Sequence, residues 1–200
     1  MITMKKLILI SSLLVLTACV DKTGLSEASS KSINPKSNAD AVVQVLEYGD
    51  FQCPACRSAY TYVVQPLLEK YGSQIRFEFR QFPLTSVHEY AMLAAEASEC
   101  AADQGKFWEF VDTDYTHQDQ LSRASIEEWG TQLKLDMTLF DRCQKSHIKR
   151  KAILAEYNQG IKLGVGGTPT FMVNGKIVES TLDALGAAID EVAGSVGAKL

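Results

Sequence analysis

The chain has 200 residues, of which 46% are hydrophobic, and a formal net charge of −4. That is enough apolar sequence for one substantial core, built as a single domain or as a domain carrying an insertion. The mild acidity and the lack of any basic patch argue against nucleic acid as a partner.

In chain order, the first element is a targeting segment rather than part of a fold. Lys5 and Lys6 form a short basic stretch, and Leu7 to Leu16 form an apolar run of about ten residues, too short to span a bilayer. Leu16-Thr17-Ala18-Cys19 resembles a bacterial lipoprotein box, in which the cysteine takes lipid and becomes the mature N-terminus. Ordinary cleavage after Ala18 is the competing reading, but it wants small residues in an A-x-A pattern and Leu16 is not small. Residues 1–18 are therefore expected to be a lipoprotein-type signal peptide, with lipidation at Cys19 holding the protein on a membrane. Residues 19–38, rich in Ser, Lys and Asn, read as a flexible tether with a reach of roughly 25 Å. Export would place the protein where disulfides persist.

Val42 to Tyr48 is a strand candidate, and Ala55 to Tyr71 is a helix candidate that Pro66 should kink. Gln74 to Arg80 alternates polar and apolar residues, the period of a strand. A long helical stretch follows, with an Ala-rich helix near Glu89 to Ala102, an aromatic one near Phe107 to Tyr115, and further turns to about Leu163. Ser86-x-x-Glu89 and Ser125-x-x-Glu128 have the pattern of capping boxes. Trp108 and Trp129 fall at helical spacing with other apolar residues, which points to core packing. Thr170 to Val173 and Lys176 to Val178 flank Asn174-Gly175, the signal for a tight hairpin. Leu182, Leu185, Ile189 and Val192 recur at helical spacing in a final helix expected to be capped near Ser180. The order βαβ, helical block, ββα divides the body into residues 39–84, 85–163 and 164–200.

Cys53-Pro54-Ala55-Cys56 lies between the first strand and the first helix. Two thiols with two residues between them can close and reopen a small ring by exchange, the second displacing whatever the first captures. Pro54 suits the first helical position, which puts Cys53 at the N-cap, where unpaired N–H groups and the helix dipole favour thiolate. The residues predict a nucleophile at Cys53 and a more buried resolving thiol at Cys56. With Cys19 taking lipid, Cys100 and Cys143 are left to pair with each other. They would close a loop of about 43 residues, worth roughly 4 kcal/mol of chain entropy. A second redox pair is the alternative reading of these two. For Cys53 and Cys56 the alternatives are a purely structural bridge and half of a zinc site completed by Cys143 and His147. His88 reads as a local hydrogen-bonding residue.

Glu47, the run Phe51 to Cys56, Gln104-Gly105-Lys106-Phe107-Trp108, and Gly164 to Phe171 with Thr168-Pro169 together resemble the DsbA family of exported thiol–disulfide oxidoreductases, in the thioredoxin superfamily. The similarity covers about residues 40–195. It implies an α/β thioredoxin fold with an inserted helical subdomain, which the helical block of residues 85–163 between the βαβ and ββα halves matches. It also implies a cis peptide bond at Pro169 beside the cysteines and a buried acid at Glu47 that exchanges protons with Cys56. Substrate segments would pair with backbone at Thr168, with Gly167, Pro54 and Ala55 beside them. No metal or organic cofactor is implied, only the redox-active disulfide Cys53–Cys56. The partners implied are reduced or unfolded exported proteins and a DsbB-type, membrane quinone-linked reoxidant; the protein itself is expected to be a monomer. One departure from the family is Pro-Ala between the cysteines, where the strong oxidants carry Pro-His. Ala55 can neither donate a hydrogen bond to Cys53 sulfur nor share positive charge with it, so a weaker oxidant is expected. A dithiol-form reductase or isomerase, and a non-catalytic metal-binding or chaperone-like module, are the competing functions.

Overall fold

The computed structural model of the protein describes residues 25–28 and 36–197. The signal peptide, the lipidation at Cys19 and most of the 19–38 segment lie outside the described residues. Its sheet has four strands in the order β2-β1-β3-β4. Strand β1 (Val43–Gly49) runs parallel to β2 (Ile75–Gln81), with Val43 opposite Ile75 and Glu47 opposite Phe79. On its other side β1 pairs antiparallel with β3 (Thr170–Val173), which pairs antiparallel with β4 (Lys176–Val178). Asn174 and Gly175 make the connecting turn with φ of 44° and 81°, the left-handed values such a two-residue turn demands. The last three residues of β1 are all buried, as a central strand covered on both faces must be.

The helix expected over 55–71 is three pieces: α1 (Pro54–Ala59), a π-helical turn over Tyr60–Val64, and α2 (Gln65–Tyr71). Pro66 has no N–H to give to the preceding turn. The chain widens before it, and Gln65 N–H reaches back five residues to the Tyr60 carbonyl.

The helical block is α3 (Ala91–Ala102), α4 (Phe107–Thr116), α5 (Arg123–Gln132), α6 (Met137–Ser146) and α7 (Arg150–Lys162). Neither expected capping box forms. Helix α5 begins one turn earlier, where Ser122 Oγ accepts from Ser125 N–H at 3.2 Å and Ser125 Oγ accepts from Ser122 N–H at 2.9 Å. Ser86 and Glu89 precede α3, whose N-cap position is Tyr90 because its N–H donates to Gln52 Oε1. The last helix, α8 (Leu182–Gly197), is capped by Thr181, which accepts from Ala184 N–H at 3.3 Å. Ser180 Oγ instead donates to the Pro169 carbonyl.

Cys100 of α3 and Cys143 of α6 form a disulfide, both almost fully buried. The main core joins this block to the sheet through aromatic rings, Phe107 of α4 meeting Phe79 of β2 at 6.0 Å and Phe110 of α4 meeting Phe51 at 6.3 Å. Trp129 is buried, whereas Trp108 is half-buried beside Phe77. Residues 36–38, assigned to the tether on composition, are held along β2. Lys36 N–H donates to the Phe77 carbonyl at 3.2 Å, and Ser37 Oγ accepts from Phe77 N–H at 2.7 Å.

A smaller cluster of Tyr48, Phe82, Val165 and Met172 packs on the opposite face, under α7. Gly160 lets α7 approach: a Cβ there would sit 2.9 Å from the Phe82 ring and 3.0 Å from the Tyr48 ring. Gly160→Ala gains about 1 kcal/mol of helix propensity but forces overpacking that costs about 1–3 kcal/mol. The expected net result is a melting temperature lowered by about 2–4 °C. An unchanged or raised melting temperature would show that the rings yield freely.

Candidate active site

Cys53 is the N-cap of α1, with extended backbone (φ −78°, ψ 119°) and Pro54 at the first helical position. Its N–H donates to the Asp50 carbonyl, and its carbonyl accepts the first helical bond from Arg57 N–H. This local geometry turns the Cys53 side chain outward and the Cys56 side chain inward. Cys53 is 6% exposed and Cys56 fully buried, and both are free thiols. Cys53 Sγ lies 3.5 Å from the Thr168 carbonyl oxygen, and the Thr168–Pro169 bond is cis. Cys56 Sγ accepts from Asp50 N–H at 3.5 Å.

The two sulfurs differ sharply in acidity. The Cys56 thiol donates to Cys53 sulfur, and the Thr168 side chain and the N–H groups of Cys56 and Ala55 add to that effect. Together they outweigh burial and bring the Cys53 pKa down to about 5. Cys56 is pushed the other way, first by burial and then by its bond to Cys53 and the nearby Glu47. Glu47 is 1% exposed, between Phe79 of β2 and Phe171 of β3, and its Oε1 has no partner among the described residues. Burial, then the Cys53 charge, raises its pKa to about 8. At neutral pH it is mostly a protonated acid held close enough to both sulfurs to feel their charge.

Two grooves flank the cysteines. One, of about 280 Å³, is lined by Ala55, Ala59, Tyr62, Val63, Pro169 and Ser180; the other, of about 490 Å³, includes Pro54, Arg57 and Thr61. Tyr62 is 73% exposed between them, an unusual position for a large ring. At Gly167 a side chain would meet open space, so the approach to Thr168 is unobstructed on that side.

The zinc reading does not hold. Cys143 is bonded to Cys100, and His147 Nδ1 pairs with Glu96 at 2.9 Å. Sequence reasoning also missed residues that hold the loop ahead of the cysteines. Gln118 Nε2 donates to the carbonyls of Phe51 and Cys53 at 2.7 and 3.0 Å. Gln52 Oε1 accepts from Tyr90 N–H, and the Asp50 carboxylate meets His88 Nδ1 at 2.8 Å. Only Asp50, three residues before Cys53, carries a readable signal, that of an Asx turn: its Oδ1 accepts from Gln52 N–H at 2.8 Å. Gln118 comes from the far side of the insertion and carries no such signal.

A Thioredoxin family model matches residues 37–191. Among curated proteins the chain is 40% identical over 152 residues to the Na(+)/H(+) antiporter NhaA 3 of Salinispora tropica, and 42% over 156 residues to NhaA 1 of Salinispora arenicola. Each match covers 75% of this chain, and the chain spans 23% of the length of those relatives. A thioredoxin-like oxidoreductase from Silicibacter pomeroyi is 25% identical, with a TM-score of 0.69 over 83% of this chain and 97% of that one. Oxidised BdbD from Bacillus subtilis has a TM-score of 0.69 at 21% identity, covering 78% and 89%. Alpha-DsbA1 from Wolbachia pipientis has a TM-score of 0.67 at 21% identity, covering 86% and 99%. With the βαβ and ββα halves, the helical insertion between them and a Cys-x-x-Cys helix mouth facing a cis-proline, the chain belongs to the thioredoxin family.

Proposed function

We propose that this chain introduces disulfides into translocated proteins by exchange at Cys53 and Cys56. The contrast between the two sulfurs carries the reading: an acidic sulfur that keeps a small exposed area and a weakly acidic one buried beneath it. A depressed pKa at the outer sulfur stabilises the dithiol relative to the disulfide, and that makes the disulfide an oxidant. The similarity to an oxidoreductase from Silicibacter pomeroyi, and the fold shared with MdbA, a thiol-disulfide oxidoreductase from Corynebacterium diphtheriae, support the same chemistry. Antiport is not carried over from the NhaA relatives, because the chain matches only 23% of their length.

In the oxidised pair, a substrate thiolate attacks Cys53 Sγ and the Cys53–Cys56 bond breaks. The electron pair goes to Cys56 Sγ, which takes the proton of Glu47. A second substrate thiol, its proton lost to solvent as the first one's was, attacks the substrate sulfur of the mixed disulfide, and the Glu47 carboxylate regains a proton from solvent. Cys53 then leaves as a thiolate. The substrate has lost two electrons and two protons' worth of thiol hydrogen, and the chain ends as a dithiol with Cys53 ionised. Thr168 backbone and the groove lined by Ala55 and Pro169 hold an extended substrate segment, as a strand is held at a sheet edge. A disulfide on a DsbB-type membrane partner restores the oxidised pair. The protein works outside the cytoplasm, anchored by lipid on Cys19, as a monomer.

The Cys53 value of about 5 falls between those of a strong oxidant of this class, about 3.5, and thioredoxin, about 7. With Ala55 in the dipeptide, the expected reduction potential is on the order of −130 to −220 mV, and a value below about −270 mV, that of thioredoxin, overturns the oxidising direction. Acid-quench alkylation of cells expressing the chain should find the pair mostly as disulfide. Mostly dithiol instead means a reductase or isomerase, and no exchange with any thiol substrate means a binding module.

A further inference from the structure

The loop from Asp50 to Cys53 is gripped from the start of the helical insertion. Asp50 is 1% exposed, and its carboxylate accepts three N–H groups, from Gln52 (2.8 Å), Leu84 (2.8 Å) and His88 (2.8 Å). The same residue's own N–H points at Cys56 Sγ. The same Asp50 oxygen accepts from Leu84 N–H, so the hydrogen of the pair is placed on Nδ1 of His88, whose side chain keeps 19% exposure. Asp114 and Tyr115 of α4 face Asp50 from the other side, with no hydrogen-bond partner for either Asp114 oxygen or for the Tyr115 hydroxyl among the described residues.

We infer that His88 is a positioning residue for the exchange reaction: by holding the Asp50 carboxylate it fixes the Asp50 N–H on Cys56 sulfur, where charge appears when that sulfur leaves. The geometry separates this from general anchoring. Gln52 and Leu84 tie the carboxylate to backbone N–H groups, whereas His88 is the side-chain donor that reaches it from the segment ahead of α3. In a site closed to water, an N–H aimed at a developing anion needs no reorganisation as the bond breaks. The inference rests on exchange at Cys53 and Cys56 being the chain's chemistry.

The test uses the oxidised protein and a small dithiol as reductant. His88→Leu removes the donor, and His88→Asn restores an N–H at about the position of Nδ1. His88→Leu is expected to slow reduction of the Cys53–Cys56 disulfide about tenfold, with His88→Asn within about twofold of the parent. Both should keep the parent's melting temperature and the parent's pH profile of Cys53 alkylation, which a merely structural loss would move. If His88→Leu does not fold, His88→Ala with added imidazole gives the same comparison, rescue being expected. Equal rates in parent and His88→Leu, His88→Asn as slow as His88→Leu, or no imidazole rescue overturns the inference. A parent that is itself inert toward thiols sinks the proposed function instead.

Discussion

Replacing Cys56 with alanine should stop turnover and leave the protein fastened to its partner. Without Cys56 there is no Cys53–Cys56 disulfide to accept a substrate's two electrons, so oxidation of a reduced peptide should fall at least about a thousandfold. Offered a partner that carries a disulfide, the Cys53 thiolate should attack it and expel one of its sulfurs, and with no Cys56 to displace the captured one, an adduct that disappears on reduction should build up on a non-reducing gel. Cys53→Ala should lose turnover equally and form no adduct at all, since Cys56 is fully buried. The substitution also tests the electrostatics. In the parent dithiol, alkylation of Cys53 should be independent of pH well above 5 and fall about tenfold per unit well below it. Because the Cys56 thiol is the largest influence lowering the Cys53 pKa, Cys56→Ala should move that midpoint upward. A Cys56→Ala protein that still turns over within tenfold of the parent, or an unmoved midpoint, would remove the basis of the proposed chemistry.

The second large effect is expected at Glu47, where stability and activity should move in opposite directions. Its folded pKa of about 8 lies above its ordinary value of 4.5. Below pH 4.5 the carboxyl is protonated in both states and costs nothing by ionisation. As pH rises toward 8, the unfolded chain ionises and the folded one does not, so stability is lost at about 1.36 kcal/mol per unit. At pH 7 that amounts to about 3 kcal/mol. Glu47→Gln does not titrate, so at pH 7 it should melt about 6–12 °C higher than the parent, and at pH 4 no differently. The same variant has no proton to give to Cys56 and should release mixed disulfides more slowly. Melting curves of both proteins at pH 4 and pH 7 decide the first point. A difference that is the same at the two pH values would mean that Glu47 ionises normally in the fold.

Much of this was legible in the residues because it depends on local periods. The alternation from Gln74 to Arg80 marks β2, and Asn174-Gly175 marks the hairpin, since both follow from backbone geometry that neighbours in sequence decide. The Cys-Pro-Ala-Cys helix start is legible for the same reason. The capping boxes failed because the pattern asks for Glu at the third helical position, and here Ser125 fills that position opposite Ser122. Pro66 was readable as a disturbance, but whether the chain kinks or widens into a π turn depends on what α1 and α2 pack against. Asp114 illustrates a harder limit. It follows Asp112 and Thr113 on α4, with nothing in the local sequence to mark its surroundings, yet it is fully buried. Burial pushes its pKa well up, an effect of tertiary packing that no local pattern encodes.

The small exposure of Cys53 has a consequence for timing. Displacement at sulfur needs the incoming atom in line with the bond that breaks, and a rim made by Thr168, Pro169 and the first turn of α1 leaves a narrow angle of entry. A cysteine already packed inside a finished protein has no means of threading that angle, while one on a loose, protruding stretch does. Clients would therefore be met early, while still emerging and unshaped, and would slip out of reach as they mature.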